Sequence, residues 1–103
     1  MFIPYSKQSI NNKDIEAVKK ALRSEFLTQG STVGKFENQL TKFTKSKYAT
    51  VVNSATSGLY IACRVLDLKK NDEVWTSSNT FVATASSIIH TGAKVKFLDI
   101  DKT

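Results

Sequence analysis

The sequence predicts an α/β fold in which helices cover a parallel or mixed sheet. From position 48 onwards, runs of β-type residues alternate with helically periodic segments, as in consecutive βαβ units. Before that point two amphipathic patterns predict helices, and two of the later runs end in short turns of small, hydroxylic residues. We therefore expect residues 1–47 to form an N-terminal arm with two helices and residues 48–103 to form a βαβαβ segment.

The two predicted helices of the first half rest on local patterns. Asn11 precedes Asp14 by three positions, the spacing of a capping box, and apolar residues at helical spacing follow it. This helix should end near Ser24. A second helix is expected after the turn at Gly30, with apolar residues at positions 33, 36, 40 and 43.

The second half alternates between the two kinds of element. The expected strands are YATVVN at 48–53, EVWTSS at 73–78 and KVKFLDI at 94–100. The expected helices are residues 54–66 and a segment from position 80 that ends at Gly92. Ligands of such sheets bind beyond the carboxyl ends of the strands, where the next helices begin. Two turns qualify here, NSATSG at 53–58 and SSNTF at 77–81.

The turn NSATSG has the properties of an anion site. A helix start leaves its first amides unpaired and carries a partial positive charge, so it can receive a phosphate. Ser54, Thr56 and Ser57 add hydroxyl groups. The stretch contains neither a Walker loop nor the GxGxxG dinucleotide pattern. A helix cap without any ligand is therefore an equal alternative for this turn considered alone.

Phe81 in the second turn shifts that balance. A core aromatic normally lies inside a helix or strand, whereas Phe81 stands between them. Its ring could lie flat against a heteroaromatic ligand, or it could simply cover the end of the sheet. A phosphate cradle and a stacking ring at one sheet edge together suggest a phosphorylated aromatic cofactor.

Composition excludes several other classes of site. Cys63 is the only cysteine, which rules out an internal disulfide and a thiolate zinc site, and we expect no metal site. Fifteen Lys and Arg against nine Asp and Glu give a charge of +6, so a small basic module that binds nucleotides or nucleic acid must be considered. The lysines are dispersed, which disfavours nucleic acid. No stretch is apolar enough to span a membrane and no secretory signal is present, so we expect a cytoplasmic protein.

An ordered set of motifs resembles one known family. The segments, in chain order, are IPYSKQSI, DIEAVKKALRS, FLTQG, KFENQL, NSATSG, NDEVWTSSNTFVATASSI and TGAKVKFLDIDKT. Together they resemble the DegT/StrS nucleotide-sugar aminotransferases, which use pyridoxal 5'-phosphate and have the aspartate-aminotransferase fold (fold type I). IPYS, LTQG and NSATS are most similar to the branch that aminates UDP-4-keto-6-deoxy-N-acetylhexosamines in pseudaminic acid biosynthesis.

The resemblance implies roles for two groups of residues. The residues that would hold the cofactor are Ala55, Thr56 and Ser57 at its phosphate, Phe81 stacked on its pyridine ring and Thr84 close to that ring. The residues that would line the sugar-nucleotide side are Tyr5, Glu25, Phe26, Leu27 and Thr28. Tyr5 has an equal alternative as a packing aromatic of the N-terminal arm. His90, near the end of a predicted helix, is expected to act as a cap.

The resemblance also implies what residues 1–103 lack. None of the lysines matches the family's catalytic lysine, which lies further along, as do the rest of the large domain and the small domain. We therefore expect an N-terminal fragment that is inactive alone and belongs to an enzyme that takes its amino group from an amino-acid donor, which the family analogy implies is glutamate. A dehydratase of the same family, with histidine in place of the lysine, stays open. The family also implies a homodimer, in keeping with the apolar residues Leu59, Ile61, Ile88 and Ile89.

Overall fold

The chain divides into two compact units, Met1–Val51 and Val52–Thr103, and its described residues form four helices and two strands. The computed structural model describes residue 4, residues 6–99 and residue 101. Within this described part no helix is both long and apolar enough to cross a membrane. The predicted α/β class is confirmed.

The first unit contains α1 (Asn12–Leu22) and α2 (Ser31–Thr44). The capping box predicted for α1 is present. The Asn11 side chain accepts a hydrogen bond from the Lys13 N–H at 2.8 Å, and the Asp14 carboxylate accepts one from the Asn11 N–H at 2.9 Å. α1 ends two residues before the expected position, with Arg23 as its C-cap.

Gly30 is required by a close approach of two backbone segments. It is the N-cap of α2, and a Cβ at this position would lie only 2.6 Å from the Phe26 carbonyl oxygen. Any side chain would therefore force the segment between α1 and α2 to move. The turn predicted from this glycine is confirmed.

The second unit is a βαβ unit preceded by a helix. α3 (Ala55–Val65) is followed by β1 (Glu73–Ser77), α4 (Val82–Ile89) and β2 (Lys94–Leu98). The two strands are parallel and in register from Glu73 opposite Lys94 to Ser77 opposite Leu98. α4 contacts both strands and also packs against α3.

The core of this unit is centred on α4. Its buried residues are small apart from one isoleucine: Ala83, Ala85, Ser87 and Ile88, joined by Ala93 before β2. Small side chains let α4 lie close to both α3 and the sheet. Ile88 is therefore buried within this unit, contrary to the expectation that it needs a partner from outside. Leu59, Ile61 and Ile89 are exposed.

One predicted strand is absent. Residues 48–53 form no strand among the described residues, so the second half is βαβ where βαβαβ was expected. A strand exists only through hydrogen bonds to a neighbouring strand, and neither β1 nor β2 pairs with this segment. The Val51 N–H instead donates to the Glu37 carboxylate at 2.9 Å. α4 is also shorter than expected, ending at Ile89 before Gly92, whose φ of +88° is incompatible with a continuing helix.

Candidate functional site

The first turn of α3 is held by a small hydrogen-bond network. Ser54 is the N-cap, and its Oγ accepts from the Ser57 N–H at 3.1 Å. The Ser57 hydroxyl donates to Asn53 Oδ1 at 2.8 Å and lies 3.0 Å from Ser54 Oγ. The N–H and O–H of Ser57 therefore already have acceptors inside the turn.

Three other donors of this turn have no acceptor within the part of the chain that the structure describes. They are the N–H groups of Ala55 and Thr56 and the hydroxyl of Thr56, and both residues are exposed. The first amides of a helix have no intrahelical acceptor, and the helix dipole places partial positive charge there. An anion at this point would meet two amides and one hydroxyl.

The start of α4 is built differently. Phe81 is its N-cap, with φ −70° and ψ 143°, and no side chain caps the helix. The Phe81 ring is 73% exposed, so it covers no core and stays free to contact a flat ligand. Thr84, on the first turn of α4, is half-buried, and its hydroxyl lies 2.9 Å from that of Thr80.

A cavity of about 280 Å³ lies between α3 and α4. One wall is the first turn of α3 and the other is the end of α4, the lining residues being Thr56, Ser57, Tyr60, Ser86, Ser87 and His90. Phe81 begins α4 five residues before Ser86, which at 1.5 Å per residue is roughly 8 Å along the axis. The fold thus brings the start of α3 and the helix that begins at Phe81 together in one unit.

His90 has the capping role that its position predicted. Its Nδ1 lies 2.6 Å from the Ser86 carbonyl oxygen, and because a carbonyl can only accept, Nδ1 carries the proton. The Tyr60 ring stands edge-on to the imidazole, with the centroids 6.2 Å apart. The described residues contain no group of His, Cys, Asp and Glu that could hold a metal ion.

The residues predicted for the sugar-nucleotide side lie in the first unit, except that Tyr5 falls outside the described residues. Glu25, Phe26, Leu27 and Thr28 are all exposed in the segment between α1 and α2. The Ser24 hydroxyl lies 2.7 Å from the Ala21 carbonyl oxygen and 3.1 Å from that of Phe26. Phe26 and Leu27 also border a cavity of about 270 Å³ within this unit.

Sequence reasoning did not single out Asn53 or Tyr60. Asn53 precedes the capping serine and stands four residues before Ser57, a spacing that allows a side chain to reach back over the first turn. This spacing is a sequence pattern from which the contact between Asn53 and Ser57 could have been predicted. Tyr60 had none, because only the packing of α3 on α4 brings it beside His90.

The chain is similar to the members of one enzyme family. The sequence model of the DegT/DnrJ/EryC1/StrS aminotransferase family matches residues 8–103. The chain is 46% identical over 98 residues to the UDP-4-amino-4,6-dideoxy-N-acetyl-beta-L-altrosamine transaminase of Campylobacter jejuni, covering 95% of this chain and 26% of that protein.

Two solved structures have the same fold over this region. Helicobacter pylori PseC, an aminotransferase involved in pseudoaminic acid biosynthesis, matches with a TM-score of 0.86 and 36% identity, covering 95% of this chain and 27% of that one. The GDP-4-keto-6-deoxy-D-mannose-3-dehydratase of E. coli, solved with hydrated PLP bound, matches with a TM-score of 0.85, 29% identity and the same two coverages.

The chain spans about a quarter of the length of these relatives. The aminotransferase fold predicted from the motifs is confirmed by the two structural matches. With the family model matching nearly the whole length, the chain belongs to the DegT/DnrJ/EryC1/StrS aminotransferase family.

Proposed function

We propose that the chain is the N-terminal part of a pyridoxal-phosphate-dependent aminotransferase that transfers an amino group to a keto-sugar nucleotide. The observation that carries the proposal is the first turn of α3, where the Ala55 and Thr56 amides and the Thr56 hydroxyl have no acceptor among the described residues and can receive a phosphate. Family membership and the named activity of the 46% identical relative support the same reaction.

In this proposal α3 holds the phosphate and α4 supplies the platform for the ring. Phe81 fits this role because its ring is exposed at the start of α4 and its side chain makes no capping hydrogen bond. Thr84 contributes its hydroxyl, which lies 2.9 Å from the hydroxyl of Thr80. When bound, pyridoxal phosphate supplies the electron sink of the reaction, while the protein orients the reacting groups.

The substrate assignment follows from the relatives' names. The C. jejuni relative is named as a transaminase of UDP-4-amino-4,6-dideoxy-N-acetyl-beta-L-altrosamine, and PseC is an aminotransferase involved in pseudoaminic acid biosynthesis. The proposed acceptor is therefore UDP-4-keto-6-deoxy-N-acetylhexosamine, and the proposed amino donor, by family analogy, is glutamate. Glu25, Phe26, Leu27, Thr28 and Tyr5 are proposed to line the sugar-nucleotide side. The exposure of the first four is compatible with contact to a ligand.

A dehydratase is the second candidate, favoured by the structural match to the E. coli enzyme at a TM-score of 0.85. Identity favours the aminotransferase, at 36% and 46% against 29% for the dehydratase. The family resemblance implies that the two differ at one position, with lysine in an aminotransferase and histidine in a dehydratase, and that this position matches none of the lysines in residues 1–103. Sequencing that position in the complete gene separates them.

The complete protein is further proposed to act in the cytoplasm as a homodimer. Leu59, Ile61 and Ile89 are 37%, 47% and 57% exposed on α3 and α4, so these helices have apolar surface for further chain or a second subunit. Analytical ultracentrifugation of the complete protein should give a dimer. A stable monomer over the micromolar range would contradict this part.

The experiment that tests the function uses the complete protein. With pyridoxal phosphate, glutamate and the keto-sugar nucleotide, we expect an amino sugar nucleotide detected by mass spectrometry. Residues 1–103 alone should form no product and no stoichiometric lysine adduct with the cofactor, tested by borohydride reduction and peptide mapping. One stoichiometric adduct on a lysine of this chain would overturn the assignment of the lysine to a later segment.

Binding of an oligonucleotide to the complete protein tests the alternative of a basic binding module. Nucleic-acid binding through Lys and Arg weakens steeply as salt rises, because counterions are released. We expect no such binding, since the lysines are dispersed along the sequence. Salt-sensitive binding of an oligonucleotide, without cofactor binding, would favour the module.

A further inference from the structure

Ser57 is held in the first turn of α3 by the side chain of Asn53. The Ser57 hydroxyl has one proton, and it is donated to Asn53 Oδ1 at 2.8 Å, an atom that can only accept. In its 3.0 Å contact with Ser54 Oγ, Ser57 must therefore accept, and Ser54 donates. Ser54 Oγ in turn accepts from the Ser57 N–H.

Ser57 therefore has no donor left for an anion. Its N–H is bound to Ser54 and its O–H to Asn53, so only an oxygen lone pair remains, which a phosphate oxygen would repel. The N–H and the hydroxyl of the neighbouring Thr56 have no acceptor among the described residues, and Thr56 is exposed. Residues 56 and 57 therefore have different chemistry although both carry a hydroxyl.

We infer that Asn53 is a positioning residue for the phosphate site: through Ser57 it fixes the first turn of α3 so that the Ala55 and Thr56 donors face the ligand. The inference rests on the proposed cofactor site and assigns Ser57 to the support of that site, while Ala55 and Thr56 make the contacts. Asn53 and Ser57 then act as one unit, because they share a single hydrogen bond.

The test is a double-mutant cycle in the complete protein, with pyridoxal phosphate and unphosphorylated pyridoxal as probes. Asn53→Ala, Ser57→Ala and the double variant all remove the hydrogen bond between Asn53 and Ser57, and the two variants without Ser57 Oγ also lose its contact with Ser54 Oγ. Asn53→Ala should raise the dissociation constant of pyridoxal phosphate about fivefold, the effect of one neutral hydrogen bond, and Ser57→Ala should raise it at least as much. The double variant should equal Ser57→Ala, because interacting residues are not additive. Pyridoxal binding should not change.

The matched control is Asn79→Ala. Asn79 lies in the turn before α4, and its side chain makes no hydrogen bond among the described residues, so its removal should leave both probes unaffected. Asn53 is exposed, so its substitution should not prevent folding, which circular dichroism will show. If Asn53→Ala does not fold, Asn53→Ser replaces it, since its shorter side chain also breaks the bond to Ser57.

Each other outcome contradicts a definite statement. If Asn53→Ala binds pyridoxal phosphate like the wild type while Ser57→Ala is tenfold weaker or more, Ser57 contacts the phosphate directly and the inference is wrong. Additive effects of about 25-fold in the double variant would show independent roles. Equal weakening of both probes would show a general structural role. A wild-type protein that binds neither probe would overturn the proposed function itself.

Discussion

The starts of α3 and α4 lie in one unit of the protein but are capped in opposite ways. α3 begins with a serine cap and a polar network that binds Ser57 on both its N–H and its O–H. α4 begins at Phe81, whose side chain makes no capping hydrogen bond and whose ring is exposed. One helix start therefore offers an ordered set of polar donors and the other offers an aromatic surface.

In the proposed site, this difference would divide the binding of one ligand between a polar contact and an aromatic contact. Polar contacts to an anion are directional, so the donors must be held in place, and the α3 network does this. Ring stacking is tolerant of small shifts, so Phe81 needs no such network. Variants that remove or exchange these properties test the comparison.

Loss of the Thr56 hydroxyl should have the largest effect. Thr56→Val removes a hydrogen bond to a charged phosphate, which costs about 1.5–3 kcal/mol, or roughly ten- to a hundredfold in affinity. The measurement is the dissociation constant of pyridoxal phosphate by equilibrium dialysis of the complete protein. The matched control is Thr50→Val, at an exposed threonine outside both helix starts, which should bind normally. Equal losses in the two variants would show that the effect is not specific to the start of α3.

Loss of the Phe81 ring should have the next largest effect. Phe81→Leu keeps apolar bulk but removes the flat ring, costing about 0.5–1.5 kcal/mol of cofactor binding. Inorganic phosphate has no ring, so its ability to compete with the cofactor should be unchanged. If competition by phosphate weakens as well, Phe81 supports the phosphate site and the two helix starts do not divide the ligand.

Cap exchange should change stability in opposite directions. Ser54→Ala removes the α3 cap and should lower the free energy of unfolding by about 1 kcal/mol. Phe81→Ser supplies a cap that α4 lacks and should raise this free energy by about 0.5 kcal/mol, since the ring is exposed. Urea unfolding followed by circular dichroism measures both. Changes of the same sign would contradict the assignment of the caps.

Gly58 gives the smallest expected effect. It stands four residues after the α3 cap, where α4 has Ala85. Gly58→Ala gains up to about 1 kcal/mol of helix propensity, but the new Cβ would lie 3.4 Å from Val52 Cγ2. We expect a net stabilisation of about 0.5 kcal/mol in the same unfolding assay, with unchanged cofactor binding. A loss of cofactor binding would show that the site needs this glycine.

The elements that sequence patterns predicted well are those whose causes are local. The α1 capping box needs only Asn11 and Asp14, three positions apart, and it forms as predicted. β1, α4 and β2 followed from alternating periodicity, with ends displaced by a few residues. The segment 48–53 has the same β-type composition but forms no strand, because a strand depends on a partner that composition does not reveal.

The candidate site divides in the same manner. The residue types, the order of the motifs and the family could be read from the sequence alone, since small hydroxylic residues at a helix start and an aromatic before the next helix are linear features. Which hydroxyl is bound to a neighbour among the described residues was visible only in the folded turn, because the Asn53–Ser57 spacing permits a hydrogen bond without requiring it. Ser57 and Thr56 are adjacent and chemically alike, yet hydrogen bonds to Asn53 and Ser54 use the donors of Ser57, and the backbone geometry of the turn leaves Thr56 exposed.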